Sequence, residues 1–376
     1  MDRSVAAPPG QTRRSGGTGQ ARSGDRRQEP GRGEALGGTP ERIGGPELSA
    51  ARSPWQRFYQ WAHHRRRHSW SARAASLVRK TVSVGNLHWG GSGKTPTVIA
   101  VARGLADQGL RVAVLSRGYR RRGREPRVVS LGEGPLASVE QAGDEPVMIA
   151  EQAPGVVVAV GADRRAAAVL ALERAPHIDV FLLDDGFSHV RVRRDVEILT
   201  FPAADPFAGG LLLPGGRLRE PLGMVRLADA AVLTGLEAGV EPPADFEPKL
   251  RRHGFAGRVF TSTLRSELVG GPSAERPLLV TGVARPERVA RTAVAAGLEC
   301  VDHLRFPDHH GYPPRSLRAI ESACARHRCD SVATTSKDAV KLRGRLSAGA
   351  PPLLELRVEA KVEEEFLPWL SGRLGR

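Results

Sequence analysis

Cysteine is scarce in this 376-residue chain, which holds only Cys300, Cys324 and Cys329. Three thiols cannot build a disulfide framework, and Cys324 with Cys329 lacks the second ligand pair of a structural zinc site, so a reducing compartment is expected. Long apolar runs are missing too. No stretch approaches the roughly 18 residues of a membrane span, and the N-terminus has no apolar segment of signal-peptide type, so neither secretion nor a transmembrane anchor is predicted. Acidic residues are outnumbered by basic ones, 41 against 56, which leaves a formal charge of +15. That surplus predicts attraction to phosphate-rich partners, whether nucleotides, nucleic acids or anionic membranes, without choosing among them.

Aromatic residues are absent from residues 1–50, which hold eleven glycines and five prolines. Such a stretch buries too little apolar surface to offset its ordering entropy, so a disordered extension is expected there. Residues 51–80 differ sharply. From Trp55 to Lys80 there is no acid, six arginines and three of the five tryptophans. Trp favours the bilayer interface and Arg pairs with lipid phosphate, so a basic helix on an anionic membrane surface is expected, against the plainer reading of a solvated helix packed through Trp, Phe58 and Tyr59.

From Thr81 onward short β-branched runs alternate with Ala-rich helical windows, the pattern of βα units on a parallel sheet. Strands are predicted at 81–84, 112–115, 156–160, 180–183 and 196–199, with helices at 96–108 and 164–173. A second set has strands at 278–281, 300–304, 332–335 and 353–358 and helices at 286–296 and 314–326. The expected fold class is therefore α/β: a P-loop NTPase-like parallel sheet over 81–235, a linking region over 236–275, and a smaller α/β lobe over 276–376.

The strongest motif runs from Gly85 to Pro96 and includes His88, Trp89, Gly90, Gly91, Ser92, Gly93, Lys94 and Thr95. It stands between a predicted strand and a predicted helix, the setting a phosphate loop needs. Glycines let backbone N–H groups turn toward phosphate, the helix N-terminus favours anions, Lys94 neutralises the β- and γ-phosphates, and Thr95 offers a hydroxyl to magnesium. His88 occupies the position where the strict pattern has glycine. A bound ATP with Mg²⁺ then needs carboxylates at a neighbouring strand end, and Asp184 and Asp185 close the apolar run 181–183. Asp144 and Glu145 precede another apolar stretch, where Asp144 reads locally as a helix N-cap, a role compatible with catalysis. Asp308, His309 and His310 follow one late strand, and Thr335, Ser336, Lys337 and Asp338 follow another. Alone, these two clusters decide nothing.

Together and in order, these segments resemble the tetraacyldisaccharide 4′-kinase family. Gly85–Pro96 is similar to its phosphate loop, Ser116–Tyr119 to its SRGY, Gly143–Pro146 to its GDEP and Gly161–Arg164 to its G-x-DR. Asp184–His189 is similar to its DDG-x-x-H, Leu218–Leu222 to its LREPL, and Phe306–His310 to its FPDHH. The resemblance implies transfer of the ATP γ-phosphoryl group to the 4′-hydroxyl of an acylated glucosamine disaccharide 1-phosphate, at the cytoplasmic face of the bacterial inner membrane. It makes Asp144 the catalytic base, paired with His309, and places Thr95, Glu145, Asp184 and Asp185 around the metal. Arg117, Arg164, Arg217 and Arg219 become phosphate binders, as bidentate guanidinium groups suit that task. His88, Trp89, Ser188 and Ser336 depart from the family pattern.

Two other classes share part of this pattern. A P-loop GTPase or metallochaperone-like switch would use the same loop, but Lys337 and Asp338 are adjacent rather than spaced as a guanine-reading NKxD requires. A nucleic-acid binder would rest on charge and residues 55–80 alone, with no RNA- or DNA-binding motif, so no nucleic-acid partner is expected.

Overall fold

The computed structural model describes residue 65 and residues 74–237, 239–270 and 274–375. The expected extension 1–50 and most of the basic, Trp-bearing segment 51–80 lie outside the described residues; residues 74–80, expected as the end of a helix, are not helical, with Ala75 bridged to Val192 and Lys80 opening the first strand. The remainder is organised on one twelve-stranded sheet. Strand β1 (Lys80–Gly85) is buried from Thr81 onward, and β2 (Val112–Ser116), β5 (Val180–Asp184) and β6 (Val196–Pro202) are buried throughout. Runs of Val, Leu and Ile buried on both faces are what parallel strands covered by helices require.

Chain order does not follow spatial order. With β3 (Arg127–Leu131), β4 (Val157–Val160), β7 (Ala230–Leu236) and β8 (Arg258–Val269), the first half reads β8-β7-β6-β1-β5-β2-β4-β3 across the sheet. β1 pairs in parallel with β5 on one side and β6 on the other. The crossover through helix α1 (Lys94–Asp107) leads to β2 beyond β5, whereas β6 and β7 lie on the opposite side, so the order reverses at β1. Crevices at such reversals, beyond the carboxyl ends of the strands, are where open α/β sheets bind ligands.

Beyond β8 come β9 (Pro277–Thr281), β10 (Asp302–Arg305), β11 (Ser331–Thr335) and β12 (Leu353–Val362), ordered β10-β9-β11-β12-β8. Antiparallel pairing of β12 with β8, from Glu355 opposite Val269 to Val362 opposite Ser262, carries the sheet without a break through the expected linking region. Two apolar clusters sit in this second half, one around Tyr312, Ile320 and Val332 and one around Leu279, Ala333 and Leu356. The last helix of the chain, at Phe366–Arg373, returns to the first half. Phe366 and Leu370 join Val98, Val101 and Leu105 of α1 in one core, and Phe260 stacks edge-on against Phe366. A side-chain carbon at Gly104 would fall 2.4 Å from the tip of Leu367, so any larger residue there would require the Leu367 side chain to move.

Candidate active site

The phosphate loop is shaped by backbone conformation before any side chain acts. Gly90 and Gly93 have φ of 105° and 73°, values that L residues rarely adopt. Gly93 caps α1 without any side-chain hydrogen bond, which leaves the first N–H groups of the helix open to an anion. The loop is fastened from below. Thr234, on β7, donates to the Ser92 carbonyl at 2.9 Å, and Thr200, on β6, donates to the Gly85 carbonyl at 3.2 Å. The Asn86 amide donates to the Ser92 hydroxyl at 2.5 Å. A Cβ on Gly93 would lie 2.7 Å from the Thr234 hydroxyl, so only glycine fits over this anchor.

Lys94 opens α1 and points back across the loop mouth, 3.1 Å from Asn86 Oδ1 and 3.4 Å from Asp185 Oδ1. Arg219 grips both oxygens of Asp185, at 3.0 and 2.7 Å, and also donates to Asn86 Oδ1. Burial by itself raises the Asp185 carboxyl, but Lys94 and Arg219 outweigh it and hold the group well below the usual carboxylate range. Asp184, one residue earlier, is the opposite case. Burial, then the neighbouring charge of Glu145, raise it to about 7, although the Ser116 hydroxyl donates to it at 2.7 Å. Arg164 is buried beneath, donating to the carbonyls of Gly161 at 2.9 Å and Asp184 at 3.4 Å; burial draws it down to about 10, partly offset by Asp184 and Asp185.

A second cluster forms where helix α3 (Asp144–Gln152) meets the loop after β10. Gly143, not Asp144, is the N-cap, with φ 94° and ψ 157°; a Cβ there would strike the Tyr119 carbonyl at 2.9 Å. Asp144 is thus the first helical residue; its Oδ1 accepts from the Glu145 N–H at 3.0 Å, which leaves Oδ2 for other partners. Its Oδ2 meets His309 Nδ1 at 2.9 Å and Lys341 Nζ at 3.4 Å. Burial raises the Asp144 carboxyl, yet the His309 hydrogen bond and the charges of Lys337 and Lys341 prevail and keep it well below the usual range. His309 has φ 57°, an unusual backbone state for a non-glycine residue, and its N–H is tied to the Gly282 carbonyl at 3.0 Å. Its Nε2 lies 3.0 Å from Lys337 Nζ, which also approaches Asp308 at 3.6 Å and Glu145 at 3.8 Å.

The structure brings together Lys94, Asp185 and Arg219, and separately Asp144 and His309, with Glu145 close enough to both Asp184 and Lys337 to link the clusters electrostatically. Other expected residues sit differently. His88 is buried, bonded to the Pro206 carbonyl at 2.6 Å and edge-on to Phe201, so its imidazole faces the core. Trp89 is 63% exposed, and Arg217 is paired with Asp205 rather than with the Asp185 group. Arg117 is exposed beside Arg164, and Thr95 is half-buried in the first turn of α1. Sequence reading did not assign Lys337 and Lys341. Both lie on helix α8 (Ser336–Leu342), where a spacing of four residues puts them on one face; that spacing was the available signal.

This arrangement first defines a class: a P-loop NTPase-like α/β protein, whose phosphate loop stands at the sheet's reversal point with two acids on the adjoining strand end. Comparison with known proteins narrows it. The family model "LpxK: Tetraacyldisaccharide-1-P 4'-kinase" matches residues 48–375. Tetraacyldisaccharide 4'-kinase of Anaeromyxobacter sp. (strain Fw109-5) is 39% identical over 313 residues, 78% of this chain and 82% of that protein. The same-named protein of Geobacter sulfurreducens is 39% identical over 287 residues, covering 75% and 80%. Among solved structures, the "apo" form of LpxK from Aquifex aeolicus in complex with ATP is similar with a TM-score of 0.69 and 30% identity, over 86% of this chain and 98% of that one. The chain belongs to the tetraacyldisaccharide-1-P 4'-kinase family.

Proposed function

We propose that the chain transfers the γ-phosphoryl group of ATP to the 4′-hydroxyl of a tetraacyldisaccharide 1-phosphate, yielding lipid IVA and ADP. The observation that carries the reading is the Asp144–His309 pair, which the adjacent Glu145 joins electrostatically to Asp184 beside the phosphate loop. Phosphoryl transfer asks chiefly for positioning and charge neutralisation, with one group to take the hydroxyl proton. Lys94 and the N-terminus of α1 hold the β- and γ-phosphates, and Arg219 stands beside them through Asp185. Asp144, ionised and oriented by His309 and Lys341, accepts the proton as the acceptor oxygen bonds to Pγ and the bond from Pγ to ADP breaks. The switch-protein alternative is not favoured, since the relatives found are kinases.

Asp184, Glu145 and Thr95 are the residues that would hold Mg²⁺, with Asp185 flanking them. Their chemistry fits a divalent cation, because Asp184 is buried and raised by neighbouring negative charge that a cation would relieve. Among the described residues no three His, Cys, Asp or Glu side chains form a metal group by themselves. Magnesium suits such a site, as it commonly keeps water and takes substrate phosphates alongside one or two carboxylates. When bound, it would neutralise charge on the β- and γ-phosphates. A peripheral position at the cytoplasmic face of the inner membrane is supported by the acylated acceptor and by the net charge of +15. No helix among the described residues is long and apolar enough to cross a membrane. Incubation of the purified protein with labelled ATP, Mg²⁺ and the disaccharide 1-phosphate is expected to give a bis-phosphorylated lipid. An unlabelled lipid would overturn the reading.

A further inference from the structure

Directly after β2 the chain enters a loop, residues 117–127, that holds six arginines (Arg117, Arg120, Arg121, Arg122, Arg124, Arg127) against a single acid, Glu125. The loop touches the candidate catalytic pair. Tyr119 packs its ring 5.3 Å from the His309 ring, with Arg120 over the outer face of Tyr119 at 5.5 Å. Arg120 then donates to the carbonyls of Asp308 at 3.3 Å and His309 at 3.5 Å, so it bridges to the His309-bearing loop. From its other end, the Arg122 N–H reaches the Glu140 carbonyl at 2.6 Å, four residues before Asp144.

This charge is poorly compensated. None of the six guanidinium groups forms a carboxylate ion pair among the described residues, although seventeen such pairs of lysine or arginine are found elsewhere on them. Arg120, Arg122 and Arg124 are exposed. Arg121 has a buried Nη2 with no hydrogen-bond partner, and burial together with the charge of Arg127 lowers its affinity for its proton, Glu125 offsetting only part. Glu140 feels the charge of Arg122 only as the weakest of its influences. Arginines crowded to this degree are stable when an anion with several oxygens sits among them, since guanidinium meets phosphate through paired N–H donors.

We propose that the 117–127 arginine loop is the docking site for the acceptor's own phosphomonoester, at the sugar opposite the one that reacts. The proposal rests on the kinase reading above, in which the acceptor carries one phosphate before the reaction. In that reading Asp144 marks the reacting hydroxyl, and Tyr119 and Arg120, in contact with His309 and its loop, set the basic loop beside the acceptor. A phosphate held there aligns the sugar for attack, and a lipid that lacks it forgoes these charge-assisted contacts.

The test compares two acceptors, the disaccharide with and without its phosphate, presented in neutral detergent micelles so that no anionic bilayer contributes. Arg122→Ser/Arg124→Ser is the informative variant, since both side chains are exposed and neither touches the Asp144–His309 pair. The wild type is expected to prefer the phosphorylated acceptor, and the variant to lose that preference through a rise of roughly tenfold in KM with kcat unchanged, the size expected for charge-assisted phosphate contacts. Arg122→Lys/Arg124→Lys should recover part of it, because a point charge keeps attraction without the paired donors. If the wild type turns over the phosphorylated lipid and the Ser variant keeps full preference, the docking site is wrong and the kinase reading stands. If neither acceptor is phosphorylated by the wild type, both fall. A variant that loses sedimentation with anionic vesicles while retaining its acceptor preference would reassign the loop to membrane lipid and overturn the proposal.

Discussion

His309 Nδ1 lies 2.9 Å from Asp144 Oδ2, although 165 positions of chain separate the two residues. The other imidazole nitrogen faces an ammonium group, Lys337 Nζ, at 3.0 Å. An ammonium only donates, so Nε2 must accept and the ring proton sits on Nδ1, aimed at the carboxylate. Lys337, His309 and Asp144 therefore form one directed chain of hydrogen bonds, with Lys341 closing on Asp144 from the side.

If Asp144 takes the acceptor proton, Asp144→Asn is expected to lower kcat by roughly 10²- to 10⁴-fold, the usual scale for a lost general base. His309→Ala should lower it as well, and the double variant should be little slower than the poorer single, because groups acting as a unit are not additive. Steady-state kinetics on the four proteins decide it. An active Asp144→Asn enzyme would exclude the base role.

Lys337 carries a separate expectation. Lys337→Met should reduce kcat with little change in either KM, while Lys337→Arg, which still donates, should keep more activity. Nitrogen-15 NMR of the His309 ring gives the readout that packing alone would not move. The wild type should show the Nδ1–H form, and the Met variant a mixture of tautomers; an unchanged spectrum would end the argument.

At the phosphate loop, Lys94→Met is expected to cut kcat by roughly 10²- to 10³-fold, as for loss of one preorganised charge at a transition state. Thr234→Val should act differently, since it removes the donor beneath Ser92 without touching phosphate. A raised KM for ATP, an unchanged KM for the acceptor and an intact fold by circular dichroism are expected. Equal effects on both substrates would count against the anchoring role.

His88 predicts a pH effect on stability. Burial holds it down to about 4 from an ordinary 6.5, the Pro206 carbonyl and Asp205 offsetting only part. The unfolded chain then takes up this proton first as the pH drops. Stability is complete above pH 6.5, declines between 6.5 and 4, and the share at stake is on the order of 3 kcal/mol. Urea unfolding at pH 7 and pH 4.5 should show that loss in the wild type and a smaller one in His88→Gln, whose amide can still donate to Pro206. Identical slopes would remove His88 as a contributor.

Much of the fold was legible in particular segments. The strands expected at 81–84, 112–115 and 180–183 are present as β1, β2 and β5, each one or two residues longer. β3, β7 and β8 were not foreseen. β3 is an antiparallel edge strand, half exposed and without a continuous apolar run. β8 alternates buried and half-buried residues where it pairs with β7 and is largely exposed in its second half, where β12 alone continues beside it. A scan for fully buried parallel strands passes over both. The phosphate loop was the opposite case, since Gly93, Lys94 and the strand before them are neighbours in sequence and their chemistry is set by local backbone conformation.

The sequence by itself determined what each segment can do: glycines that admit left-handed turns, a lysine at a helix start, acids at a strand end, arginines crowded into eleven residues. Only the tertiary structure decided which of these act together. Asp144 reads locally as a cap, yet Gly143 takes that position and frees the carboxylate for His309. Lys341 is a helix residue like any other until it lies 3.4 Å from the same carboxylate, 4% exposed. Short-range preferences are written in neighbouring residues, whereas the electrostatics of a site depend on distance and burial, and those are fixed only when distant strands of one sheet bring their loops to the same edge.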